Sequence, residues 1–314
     1  MMMKSCFYGK ERELHSMVRE PQSVQFHKTR YIYFPQIVNA GVQKRITQQL
    51  TQALETGQIQ VFLQPRIDLK SGKVCAAEAL ARWQWPDGRW SLPQHFLPAL
   101  KQTGLMPLLD FYMLEQVASL QRCWMQQAAV FPISVNFAAE TLLADGAVQR
   151  IERCLSHHGL KKGQIELELT EHCLMEQQQP LIPVLTELRK NGLDIAMDDF
   201  GIGSSSLSML LQLPVDIVKL DKSFLERDIT ERKNYQYISQ VIKLVQSAEM
   251  ELVCEGVESA AQATILANLS VEQGQGWFWE RPLHWRTFLQ QYLQKEMEEN
   301  NAREELRKNC YKLG

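Results

Sequence analysis

The sequence predicts an α/β barrel of the TIM type, and three observations carry that expectation. Strand-like and helix-like segments alternate along most of the chain, which favours a parallel sheet. The polar residues at the strand ends, Asn136, Glu168, Asp198, Lys219 and Glu255, follow one another at intervals of 32, 30, 21 and 36 residues. A strand with its returning helix needs roughly 30 residues. The length of 314 residues suits one barrel of about 250 residues with extensions.

The elements follow in order. Residues 1–41 have mixed charge and little periodicity and read as an extension or linker, the barrel domain as 42–290, and 291–314 as a charged helical tail. Val42, Ile46, Leu50 and Leu54 recur at four-residue steps, so the segment from Val42 reads as a helix that Gly57 can end. Residues 59–83, IQVFLQPRIDLKSGKVCAAEALARW, read as two antiparallel strands around LKSGK, because β-branched and aromatic residues flank a Ser-Gly pair. Pro93 and Pro98 punctuate the next stretch. A strong helix at 106–128 leads to strand 131–137, FPISVNF. Helix 147–158 precedes strand 164–170, and helix 179–190 stops at Asn191-Gly192 before strand 193–198. A Gly/Ser loop with a short helix fills 201–212, and Pro214 opens strand 215–220. Helix 233–248, strand 250–255, helix 259–268 and a last strand near 272–278 complete the series. The charged stretch 290–309 reads as a solvated surface helix.

Composition excludes several classes. Apolar content of 45% with 22% charged residues is that of an ordinary soluble globular protein. A net charge of −2 gives no field for gripping a nucleic-acid polymer or an acidic membrane. No apolar run approaches the roughly 20 residues of a membrane span, and the start of the chain lacks a secretory signal. The seven cysteines include no CxxC pair and read as scattered reduced thiols of a cytoplasmic protein. Cys254 reads as a small buried residue at a strand end rather than a nucleophile, since no His adjoins it.

The polar strand ends carry the chemistry. In IELEL, Ile165, Leu167 and Leu169 fall on one face and Glu166 and Glu168 on the other. If the apolar face packs on helices, Glu168 points into the barrel, where a carboxylate needs a partner or a metal. Asp198-Asp199 poses the problem twice, since adjacent carboxylates repel. Hard divalent cations answer it, because oxygen ligands suit Mg²⁺ or Mn²⁺. Each acid alone would read as a surface carboxylate. Together, with strands beneath them, they point to a metal-dependent hydrolase. Glu78, Glu168, Asp198 and Asp199 supply about four negative charges, enough for two divalent ions that clamp a phosphoryl transfer. Arg82 and Lys219 remain to face an anionic substrate, and Glu255 can orient water or the second metal. No HExxH pair, His-Asp dipeptide, P-loop lysine or GxSxG elbow is present.

The ordered motifs Glu78-Ala79-Leu80 with Arg82, SVN ending at Asn136, ELTE at 168–171, DDFG at 198–201, KLD at 219–221, EGVE at 255–258 and QGxxxxRPL at 275–283 resemble the EAL domain of cyclic-di-GMP-specific phosphodiesterases. The resemblance implies a modified βα barrel with an antiparallel first strand, and hydrolysis of cyclic-di-GMP to linear pGpG with two Mg²⁺ or Mn²⁺ ions. It implies Glu78, Asn136, Glu168 and Asp198 as ligands of the first metal and Asp198 with Asp199 for the second. Lys219 and Glu255 would activate water, and Arg82 would contact phosphate. Gln64, Leu80, Asp221, Glu258, Gln275 and Pro282 would lie near substrate, and Glu171 would brace the loop after DDFG. The family's DDFGTGYSS reads DDFGIGSSS here, with Ile202 for a Thr and Ser204 for an aromatic. That change leaves open a catalytically weak receptor or interaction module, and a homodimer is also left open. Residues 1–41 are too few for the GGDEF domain that often precedes such barrels, so a stand-alone or truncated EAL protein is expected.

Overall fold

The structure, a computed structural model, describes residues 40–125, 131–202, 210 and 212–293. The chain segment 1–39, most of the expected 201–212 loop helix and most of the expected C-terminal tail lie outside the described residues. Helix α1 spans Ala40–Glu55 and buries Ile46, Leu50 and Ala53, the stripe expected from the four-residue spacing. The hairpin follows as β1, Ile59–Asp68, and β2, Val74–Gln84, paired antiparallel. Next come β3, Trp90–Ser91, α2, Pro93–Gln102, α3, Met106–Met125, and β4, Ile133–Asn136.

From there strands and helices alternate: α4, Ala139–Leu142; α5, Ala147–His158; β5, Ile165–Thr170; α6, Glu171–Glu176; α7, Gln178–Lys190; β6, Asp194–Phe200; and β7, Ile217–Leu220. A short 3₁₀ turn at Lys222–Phe224 precedes α8, Arg232–Ser247, β8, Glu251–Cys254, α9, Ala260–Asn268, and β9, Gln273–Gly274. Leu283–His284 forms β10, which pairs outside the barrel with β1, and Trp285–Phe288 forms α10.

Among the described residues, β2, β4, β5, β6, β7, β8 and β9 run in that order around a sheet that β1 closes on both sides. The pairings from β2 to β9 are parallel, and β1 is antiparallel to both of its barrel neighbours. The barrel with its reversed first strand is the expected architecture. The main core lies between strands and helices, where Ile165, Leu167 and Leu169 of β5 are at most 1% exposed. Burying each such side chain contributes about 1.5–3 kcal/mol. Inside the barrel, Ala196, Ile217 and Val253 make a separate small apolar cluster.

One local reading is filled in and one corrected. The stretch punctuated by Pro93 and Pro98 is a helix: Pro93 occupies its first turn, where no donor is needed, and burial of Phe96, Ala99 and Leu100 outweighs the lost bond at Pro98. The last strand covers two residues rather than the stretch near 272–278. Beyond it Phe278 donates to Val257 and Trp279 to Gly276, which curls the chain away from the ladder. Among the described residues no helix is long and apolar enough to cross a membrane.

Candidate active site

Alternation sends every second strand residue inward, and the register sets the inward residues in levels. Asn136 stands opposite Glu168, and Gln64 opposite Glu78. Glu255 and Gln275 extend the ladders past β8 and β9 through bonds from their amides to Leu220 and Cys254. The carboxyl ends of the parallel strands therefore bring Glu78, Asn136, Glu168, Asp198, Lys219, Glu255 and Gln275 together.

Lys219 is the centre of the cluster. Its Nζ lies 2.6 Å from Glu168 Oε1, 2.6 Å from Glu255 Oε1, and 3.3 Å from both Glu78 Oε2 and Asp198 Oδ1. Glu78 also accepts from Asn136 Nδ2 at 3.3 Å and from Gln275 Nε2 at 2.6 Å. Burial opposes the charge on Lys219, yet Asp198, Glu168, Glu255 and Glu78 hold its ammonium well above the usual lysine range. Burial and the neighbouring acids raise Glu168 well above the carboxylate range, and burial pushes Glu255 up to about 8 despite Lys219. Glu78 is buried as well, but Lys219, Gln275 and Asn136 keep it below its ordinary value. The cluster thus carries more carboxylates than one ammonium can neutralise.

Asp199 joins them through a defect in β6. The register with β7 shifts between Met197 and Phe200, and Asp199 has φ of 57°. A bulge of this kind re-aims side chains that a regular strand would send to opposite faces. Burial, followed by Asp198 and Asp221, raises Asp199 to about 6. Gly201, just beyond β6, is held from two sides. Glu171 Oε2 accepts from the Gly201 amide at 2.7 Å. Gly201 has φ of +99°, and a Cβ there would collide with the Phe224 ring, so only glycine fits without strain.

The remaining sequence-derived candidates lie around this cluster. Arg82 is four residues beyond Glu78 on β2, donates to the Ala81 carbonyl at 2.9 Å and stands 5.7 Å from the Phe62 ring centroid. Leu80 pairs with Phe62. Asp221 is buried and accepts from the Ser223 amide at 2.8 Å. Pro282 is half-buried ahead of β10, and the Glu258 side chain is exposed beside the Ser259 cap of α9. The structure does not bring Arg82 or Glu258 into contact with Lys219.

Two supports escaped the sequence reading. Arg66 Nη2 pairs with Glu166 Oε1 at 2.6 Å, both essentially unexposed. Their signal was the inward phase they share with Gln64 and Glu168. Asp110 of α3 accepts from the Ala138 amide at 2.9 Å and from Thr141 at 2.5 Å, bracing the segment after Asn136. No local motif marks it.

The donors fit hard divalent cations. Glu168 Oε2 and Asp198 Oδ1 are buried and accept no hydrogen bond among the described residues, and around the Lys219 ammonium the carboxylates, with the amides of Asn136 and Gln275, offer oxygen donors that suit such ions. Fold and site together define a class: a modified (β/α) barrel with a metal-accepting acidic centre at its carboxyl rim. The EAL domain model matches residues 47–282, and the chain belongs to that family, whose chemistry depends on bound metal.

It is 36% identical over 240 residues to the "Probable cyclic di-GMP phosphodiesterase PdeB" of Escherichia coli strain K12, covering 76% of this chain and 46% of that protein. Its structure is similar to that of the PaMucR phosphodiesterase in complex with c-di-GMP, at a TM-score of 0.73 and 30% identity over 78% of this chain and all of that one. The EAL enzyme Bd1971, bound to cAMP and cyclic-di-GMP, matches at 0.73 and 27% identity, over 80% of this chain and 69% of the other. The chain spans less than half the length of the curated relatives PdeB and MucR.

Proposed function

We propose that this protein is a metal-dependent phosphodiesterase that hydrolyses cyclic-di-GMP to linear pGpG. The observation that carries the reading is the buried Lys219 ammonium within 3.3 Å of four carboxylates, with Glu168 Oε2 left unpartnered beside it. Glu78, Asn136, Glu168 and Asp198 would hold one Mg²⁺ or Mn²⁺, and Asp198 with Asp199 would serve a second. When bound, two such ions lower the pKa of water and offset charge on the phosphate oxygens. Lys219, held cationic, and Glu255 orient the attacking water. Its oxygen forms the new bond to phosphorus as the bond to the opposite ribose oxygen breaks; the water gives up a proton to solvent and the departing oxygen takes one up from it, opening the ring. Arg82, set further out on β2, meets the phosphate, and Gln64, Leu80, Asp221, Glu258, Gln275 and Pro282 line the approach. Glu171 keeps the loop after Asp199 in place through Gly201.

The supporting experiment is a turnover assay with cyclic-di-GMP and Mg²⁺ or Mn²⁺, followed by chromatography of the products. Release of pGpG is expected, and Lys219→Ala or Glu168→Gln should lower the rate by at least about 100-fold, the scale of losing one group that stabilises a transition state. Intact substrate across a range of metal concentrations, with tight binding of the dinucleotide, would instead make the protein a receptor.

A further inference from the structure

A second group of metal-type side chains lies outside the barrel, where α3 packs on α5. Cys154 and His158 are four residues apart on α5 and so share one helix face. Glu115 of α3 reaches both: Oε1 is 2.7 Å from His158 Nε2, and Oε2 is 3.1 Å from Cys154 Sγ. The three ligand atoms lie within 4.8 Å of one another. Zinc with bonds of about 2.0–2.3 Å holds neighbouring donors roughly 3.4–3.6 Å apart in a tetrahedron. The contacts of Glu115 with His158 and Cys154 would thus have to open by under 1 Å to admit an ion, and no pair of the three donors is more than 4.8 Å apart.

The surroundings suit entry and closure. Glu115 and Cys154 line a surface cavity of about 1160 Å³, and His157 lines it too. The His157 ring stands at 85° to that of His158 with centroids 5.0 Å apart. His158 is 8% exposed, and its Nδ1 has no hydrogen-bond partner among the described residues. A plain ion pair between Glu115 and His158 gives no reason for a thiol at the second carboxylate oxygen.

We propose that Glu115, Cys154 and His158 form a binding site for a zinc-class divalent ion, with water or His157 as fourth ligand, clamping α3 to α5. The site shares no residue with the Lys219 cluster and differs from it in chemistry. Thiolate and imidazole select borderline metals, whereas the barrel rim offers oxygen donors that suit magnesium and manganese. On binding, the Cys154 thiol gives its proton to solvent and Sγ bonds to the ion, with no change in oxidation state.

The full-length protein, freed of metal by a chelator and then supplied with excess Mg²⁺, would be titrated with Co²⁺. One equivalent should produce a near-ultraviolet thiolate-to-cobalt charge-transfer band, and Zn²⁺ should abolish it. The band requires a thiolate, so cobalt at the barrel rim cannot produce it. Cys154→Ser should remove the band, and Glu115→Gln or His158→Gln should weaken Co²⁺ binding about 10-fold or more, with circular dichroism and Mg²⁺-dependent turnover unchanged. No band in the wild-type protein overturns the proposal, as does a band that survives in Cys154→Ser. If that variant fails to fold, the half-exposed Glu115→Gln decides: unaltered cobalt affinity there also overturns it.

Discussion

Asp110 illustrates how much a single buried residue decides. It is 3% exposed, and burial raises its carboxyl to about 7 against the opposing bonds from Thr141 and Ala138. In the unfolded chain it ionises near 3.8, so between these values the folded protein binds more protons and its stability falls as pH rises. Asparagine keeps an acceptor but cannot ionise. Wild-type protein is therefore expected to lose stability relative to Asp110→Asn between about pH 4 and pH 8, by a few kcal/mol in order of magnitude. Urea unfolding of both proteins across that range checks it, and parallel curves would refute it. At this scale the sequence told more about the rim than about its supports. Alternation assigned Glu166 and Glu168 to one face, yet it carries no information on depth, so it could not foresee that one meets Lys219 and the other Arg66. Asp110 was illegible for another reason: its partners lie 28 and 31 residues away.

Among the elements, the carboxyl end of β6 with the Gly201 turn joins a register shift to two positive φ angles and carries the most consequence. Asp199 at positive φ, Gly201 against Phe224, and the Glu171 bond all fall within it. Phe224 itself stacks on Tyr237 at 5.9 Å and 14°, so it has little room to retreat. Gly201→Ala combines a disfavoured backbone angle with that collision, and a cost above about 1 kcal/mol is expected. Because the strain falls two residues from Asp199, turnover should drop more than helix content does. Ile202→Thr is the contrast: its side chain is 63% exposed, and the change should stay within about 0.5 kcal/mol. Thermal unfolding and turnover of the two variants check this, and equal behaviour would sink it. Helix α5 was legible to the residue because a periodic segment is bounded by Gly146 and Gly159. The six-residue α6 was missed since so short a segment has too few turns to display a period, and the Thr170 cap alone marks it.

For the whole molecule the question is what holds a barrel closed when its first strand runs backwards. The alternation of elements made the parallel part legible, but closure depends on contacts between residues far apart in sequence, which periodicity does not contain. Arg66 and Glu166 supply one such contact. They sit on β1 and β5, which are not neighbours in the sheet, so their 2.6 Å ion pair crosses the interior. Burial opposes the charge on Arg66, and Glu166 raises it back above the usual range. Pairing of this kind is specific without being strongly stabilising, because desolvation of both charges offsets most of the attraction. Removing one partner is a different matter, since the other is left charged and dry. Arg66→Met is thus expected to cost about 3–5 kcal/mol, read as a lower urea midpoint. The double variant Arg66→Met, Glu166→Leu leaves neither charge and should recover most of that loss. Should the double variant unfold as readily as the single one, the pair's weight would lie in its geometry rather than its charge. Closure of the barrel would then rest on the β1 ladders to β2 and β9 alone.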